Sequence, residues 1–163
     1  MINGGLPEFF KIVDASAGPV TSSGGVTCDY VSLKNVHRAW IVASFTQAVG
    51  HATVISPKQA SAVAGTGVKA LTAAGPGWFN EDTAASDTLV AQTAATTYTV
   101  TNDVKKKIVV CEIVPGQNMD INGGFDVLGC TISNSSQASN FVSVVYILET
   151  RYPSATPPAA ITD

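Results

Sequence analysis

Short runs of apolar and β-branched residues, broken by glycine and proline at intervals of roughly ten residues, set the pattern of this chain. Residues 9–13 form a first strand candidate. Residues 40–47 and 52–56 pair as a hairpin about Ala48-Val49-Gly50, where glycine tolerates a positive φ. Pro57 is expected to end the second of these strands, because it cannot donate to a ladder. Residues 58–68 are alanine-rich and fit one or two helical turns, although Gly65 and Gly67 oppose a long helix. Further strands are expected at 69–73, 88–92, 96–100, 107–114, 125–132 and 141–152. Ala74-Gly75-Pro76-Gly77 reads as a turn before Trp78-Phe79, and Pro115-Gly116 and Asn122-Gly123-Gly124 as further turns.

Two strands are informative in detail. Ile108-Val109-Val110-Cys111-Glu112-Ile113-Val114 is apolar almost throughout, the pattern of a central strand buried on both faces. In residues 141–152, Phe141, Ser143, Val145, Ile147 and Glu149 share one face; Val142, Val144, Tyr146 and Leu148 share the other. The expected fold is therefore all-β: an antiparallel, jelly-roll-like β-sandwich over residues 26–153, with about eight strands in two packed sheets. The small, Gly-rich character of residues 15–25 makes 1–25 an N-terminal arm, and the proline- and alanine-rich residues 154–163 a C-terminal tail.

Composition changes this picture in one respect. The chain has 163 residues, the size of one domain, and only 13% of them are charged, about half the usual share. Part of the surface is therefore not meant for open water. The net charge of −3 argues against nucleic acid as a partner. Cys28, Cys111 and Cys130 are odd in number and widely spaced, which fits unpaired, buried thiols made in a cytoplasm. The first residues lack the charge and apolar stretch of a signal peptide, and no run has the length of a membrane span.

The search for chemistry yields no catalytic residue, metal ligand or cofactor site. Gly65-Thr66-Gly67-Val68-Lys69-Ala70 fits a loose dinucleotide pattern, but Gly75-Pro76-Gly77 leaves no room for the helix that motif must open, so it reads as a turn before a strand. His37 and His51 are too few for a metal site and read as surface or interface residues. The acids Asp29, Glu81, Asp82, Asp87, Glu112, Asp120, Asp126 and Glu149 give no reason to pair any two as a glycosidase would require. Asp120-Ile121-Asn122-Gly123-Gly124 lacks the later glycine and glutamate of a calcium loop and reads as a tight turn. Lys105-Lys106-Lys107 reads as a solvated loop or a contact to an acidic partner. Asn134-Ser135-Ser136 matches a glycosylation acceptor that a cytoplasmic product does not use. Trp40 and Trp78 could stack on a sugar, but Trp40 lies in an apolar strand and is expected in the core.

Four stretches resemble a known class: Asp29-Tyr30-Val31-Ser32-Leu33-Lys34-Asn35, Gly67-Val68-Lys69-Ala70-Leu71, Asn122-Gly123-Gly124-Phe125-Asp126 and Val145-Tyr146-Ile147-Leu148-Glu149-Thr150-Arg151-Tyr152-Pro153. Their pattern and order look like small virion structural proteins of tailed bacteriophages, and more narrowly like capsid decoration, or cement, proteins. That resemblance implies an oligomeric β-sandwich on the outside of the capsid shell that bridges major capsid protein subunits. It implies no enzyme activity, no cofactor, and neither nucleic acid nor membrane as a partner. A homotrimer is the first expectation for its self-association and a dimer the second, and the arms are expected to order against neighbouring chains. The alternatives are a tail or head-fibre component and a carbohydrate-binding β-sandwich.

Overall fold

The computed structural model describes residues 5–152. After a helical turn, α1 (Leu6–Phe9), the chain runs β1 (Phe10–Asp14), β2 (Val20–Thr21), β3 (Val26–Thr27), β4 (Val31–Ser32), β5 (Val36–Thr46) and β6 (Thr53–Ala60). It continues with β7 (Lys69–Ala70), β8 (Gly75–Asn80), β9 (Val90–Ala95), β10 (Tyr98–Val100) and β11 (Lys106–Ile113). A second helical turn, α2 (Pro115–Asn118), and a short turn at Ile121–Gly123 precede β12 (Val127–Ile132) and β13 (Phe141–Thr150). The larger sheet has the order β1-β13-β5-β11-β8-β9, with β2 also on β13. The smaller has the order β10-β6-β12-β3, with β4 on β12 and β7 on β6. All pairings among the described residues are antiparallel. From β8 to β13 the chain changes sheet at every connection but β8–β9, so the sandwich is jelly-roll-like as expected.

The core lies between the sheets. Ile41, Ala43 and Phe45 of β5, Val109, Cys111 and Ile113 of β11, and Val142, Val144, Tyr146 and Leu148 of β13 face Ile55 of β6 and Leu128, Cys130 and Ile132 of β12. All three cysteines are buried and unpaired. Buried polar side chains tie the loops to this core. Gln59 is 0% exposed; its amide donates to Ala70 O (2.7 Å) and Thr72 Oγ1 (3.0 Å), and its carbonyl accepts from Asp120 N (2.7 Å).

Several local expectations are corrected. Residues 40–47 and 52–56 do not pair as a hairpin, because β5 lies in the larger sheet and β6 in the smaller. The expected arm 1–25 belongs to the sandwich from Phe10 onward: β1 pairs with β13 from Phe10↔Glu149 to Asp14↔Val145, and β2 continues along the same strand. The small residues that read as loose serve as hydrogen-bond partners. Ser16 Oγ accepts from Val144 N (2.9 Å), and Ser22 Oγ donates to Ser135 Oγ (2.9 Å). Residues 1–4 and the tail 154–163 lie outside the described residues. Pro57 does not end its strand; β6 runs on to Ala60. Val54 directs its carbonyl toward Ser133 N (2.9 Å), so by alternation Pro57 turns its nitrogen the other way. There it falls between the partners β10 and β7, where no ladder bond is lost.

Residues 58–68 form no helix. They finish β6 and then fold back, with Ser61 N on Thr66 O (2.9 Å) and Gly65 and Gly67 at φ +71° and +66°. Gly75-Pro76-Gly77 is strand, not turn. A Cβ on Gly77 would stand 2.6 Å from Tyr98 Cζ, so the glycine is there to admit the Tyr98 ring.

Candidate docking face

The inner half of β11 is core as expected, but its outer half is not. Ile108, Val110 and Glu112 alternate with the buried Val109, Cys111 and Ile113 and are only half-buried. The expectation that this strand is covered on both faces is therefore not met among the described residues. The same holds across the larger sheet. The register places Val145 beside Val42, Val42 beside Val110, Val110 beside Trp78 and Trp78 beside Ala91. One row along, Ile12 lies beside Ile147 and Ile147 beside Trp40. These residues alternate with the core-facing ones, so all point outward. None of them is fully buried, and Ile12 is 52% exposed.

An antiparallel sheet with one solvated face ordinarily turns polar residues outward. The smaller sheet does so, with Ser56, Lys58, Thr99 and Thr131 on its outer side. The larger sheet instead presents a row of aliphatic and aromatic side chains across its middle, with Asp14 beside Val145, the polar Ser44, Ser143, Thr46 and Lys106 toward one end and an arginine–glutamate cluster at the other. There Trp40 Nε1 donates to Glu112 Oε2 (3.1 Å), and Arg38 reaches Glu112 (3.6 Å) and Glu149 (4.0 Å). The Arg38 guanidinium stands 5.6 Å from the Trp40 ring centre, and Phe10 packs against that ring at 6.1 Å. Trp40 is thus on the outer face and not in the core, with its ring held by Arg38 and Phe10 and its N–H already bonded.

The other sequence candidates are dispersed. His37 is exposed, and His51 is half-buried on a loop. Of the carboxylates, Glu112 and Glu149 come together through Arg38. Asp82 pairs with Lys105 (3.0 Å), Asp126 with Lys34 (3.7 Å) and Asp120 with Lys69 (2.7 Å). Asp29 and Asp87 are exposed. Asp120 Oδ1 accepts from Gly123 N (3.0 Å), closing the tight turn expected there, and Lys69 sits 3.5 Å from the Phe125 ring centre. A cleft of about 510 Å³ at this end is lined by Leu33, Thr72, Pro115, Met119, Asp120 and Arg151.

Of the lysine run, Lys105 and Lys106 are exposed, but Lys107 is not solvated. The Lys107 side chain is 0% exposed, against Glu81 (3.1 Å), Thr101 O (2.7 Å) and Thr101 Oγ1 (2.6 Å). Asn134 is exposed, with its carbonyl turned to Ser136 N. Among the described residues no group of three His, Cys, Asp or Glu could hold a metal ion, and no helix is long and apolar enough to cross a membrane.

The sequence search passed over Ile12, Val42, Val145 and Ile147 as site residues. Their signal was available: Trp40-Ile41-Val42-Ala43 and Val144-Val145-Tyr146-Ile147-Leu148 are apolar at consecutive positions, as Ile108-Val109-Val110 is.

The sequence matches no family model and no curated protein. A solved structure titled "CBM4 structure and function" is similar at 9% identity over 94% of this chain and 90% of that chain, with a TM-score of 0.31. A likeness that slight carries no argument about what this chain binds.

Proposed function

We propose that this protein is a non-catalytic structural component of a bacteriophage particle. It decorates the outside of the capsid and bridges major capsid protein subunits by laying the outer face of its larger sheet on them. The observation that carries the docking role is the apolar row on the outer face: Ile12, Ile147, Val145, Val42 and Val110 alternate with core residues and stay partly exposed among the described residues. The phage setting comes from the sequence resemblance described above. Covering a half-exposed Val or Ile gains on the order of 1 kcal/mol, and repetition over a lattice multiplies such modest contacts.

A carbohydrate-binding role fits the face less well. Sugar recognition needs a free aromatic ring flanked by unpaired polar groups. Here Trp40 is occupied by Arg38, Phe10 and Glu112, and between it and Trp78 stand Val42, Val110 and the already paired Glu112.

The test is co-sedimentation of the purified chain with capsids that lack it, beside the double variant Val42→Lys, Val110→Lys. Both positions point away from the core, and dichroism with melting checks that the variant, which sets two lysines opposite one another, still folds. The expected result is saturable binding by the natural chain and a loss of about a hundredfold in the variant, the scale of a hot-spot deletion. Equal binding by both, or none by the natural chain, overturns the proposal. Retention of the natural chain on a polysaccharide gel, abolished by Trp78→Ala, would replace it with the carbohydrate reading.

A further inference from the structure

The larger sheet ends at two strands. β1 carries Lys11 and Asp14 and is preceded by α1, devices that blunt an edge. β9 has neither charge nor flanking helix; its one irregularity is a register shift against β8 between Gly75 and Gly77, opposite Gln92 to Ala95. Its residues Val90, Ala91, Gln92, Thr93 and Ala94 are exposed, with Ala95 half-buried, and on its far side no described strand pairs with it. From Thr88 to Asn102 the sequence has no charged residue and no proline. Leu89 and Val90 beside this edge are 44% and 58% exposed. The strand is held in place rather than fraying: β8 pairs with it on one side, and the Tyr98 hydroxyl accepts from Ala95 N (3.2 Å).

We infer that β9 is the self-association surface, pairing antiparallel with β9 of a second copy across a twofold axis. An unpaired strand edge is self-complementary, because antiparallel pairing offers each copy the same row of donors and acceptors. Self-pairing of a charged strand sets like charges opposite one another at a cost; this strand brings none. A twofold axis that makes two identical edge strands antiparallel is perpendicular to the sheet, so the outer faces of both copies lie on the same side. The outer face that carries the row Val145, Val42, Val110, Trp78 and Ala91 then lies on the same side as that of the second copy. Edge pairing doubles the docking face without covering it. The pairing rests on the edge alone; the use of the doubled face rests on the shell-binding proposal.

The experiment is sedimentation equilibrium of the full chain over a dilution series, with Ala91→Lys and Thr93→Lys as edge variants and the Val42→Lys, Val110→Lys chain as the face variant. Both edge positions are exposed, and dichroism with melting checks the fold. The expected results are a dimer for the natural chain, a dissociation constant raised at least about tenfold by either edge variant, and an unchanged dimer in the face variant. Amide exchange in residues 90–95 slows as concentration rises. A monomer or trimer for the natural chain, or edge variants that dimerise undiminished, overturns the inference. Loss of the dimer in the face variant alone moves self-association to the sheet face. A chain that dimerises through β9 and fails to bind capsids overturns only the shell-binding proposal.

Discussion

The Tyr98–Gly77 contact gives a worked test of how β9 is held. Tyr98 is 6% exposed; its hydroxyl donates to Gly75 O at 2.5 Å and accepts from Ala95 N at 3.2 Å, and its ring meets Phe79 edge-on at 5.6 Å. Burial also pushes its phenol above the ordinary value, so it stays a neutral donor. Tyr98→Phe keeps the ring and strands two backbone groups. At about 1–3 kcal/mol for a buried unsatisfied group, and with Ala95 only half-buried, the expected loss is about 2 kcal/mol.

Gly77→Ala places a methyl 2.6 Å from Tyr98 Cζ and 2.8 Å from its oxygen, which the ring must vacate. Both hydrogen bonds and the Phe79 contact then suffer, and the expected loss is about 3–4 kcal/mol. Tyr98→Ala removes the obstacle, at a cost of about 3–5 kcal/mol for the lost ring. In that background Gly77→Ala costs under about 1 kcal/mol, a coupling of about 2–3 kcal/mol. Urea denaturation of the four chains measures each value. Equal costs of Gly77→Ala in both backgrounds would refute the reasoning.

Other expected outcomes follow from buried or paired groups. Glu81→Ala leaves the fully buried Lys107 ammonium without its counter-charge, whereas Lys107→Met leaves a carboxylate that water reaches. Denaturant melts should show Glu81→Ala the more destabilising by about 2 kcal/mol. Burial pushes the Cys111 thiol up to about 12 from 9.0, so the unfolded chain loses the proton first. Stability is then intact below pH 9 and declines toward pH 12, a slope that melting across this range should find shallower in Cys111→Val. Iodoacetamide should label Cys111 only as fast as the protein opens. The hydrogen bond from Lys69, then that from Gly123 N, hold Asp120 below its ordinary 3.8. Its stabilising contribution is present above pH 3.8 and lost as pH falls through the depressed value, and acid titration of Asp120→Asn should show a flatter acid limb.

What the sequence by itself determined was the class of fold and the burial demand of its strands. β-branched runs between turn residues were enough to read a sandwich, because side-chain alternation and turn chemistry act within a few residues. The run Ile108–Val114, apolar but for Glu112, carries the demand for cover on both sides of its strand, so part of the docking face is legible in the residues alone.

What only the tertiary structure decided depends on contacts between distant residues. Pro57 stays in a strand because its nitrogen meets the gap between β10 and β7. Gly75-Pro76-Gly77 is strand because Tyr98, some twenty residues on, fills the space above Gly77. Residues 15–25 are bound because Ser16 and Ser22 find partners near Val144 and Ser135. The role of Trp40 was invisible for the same reason: an apolar residue in a strand reads as core on either face. Only the packing of the smaller sheet chooses which face is inside. Among the described residues, sheet order alone leaves β9 at an edge, since nothing local in its uncharged run says whether a neighbour stands beside it.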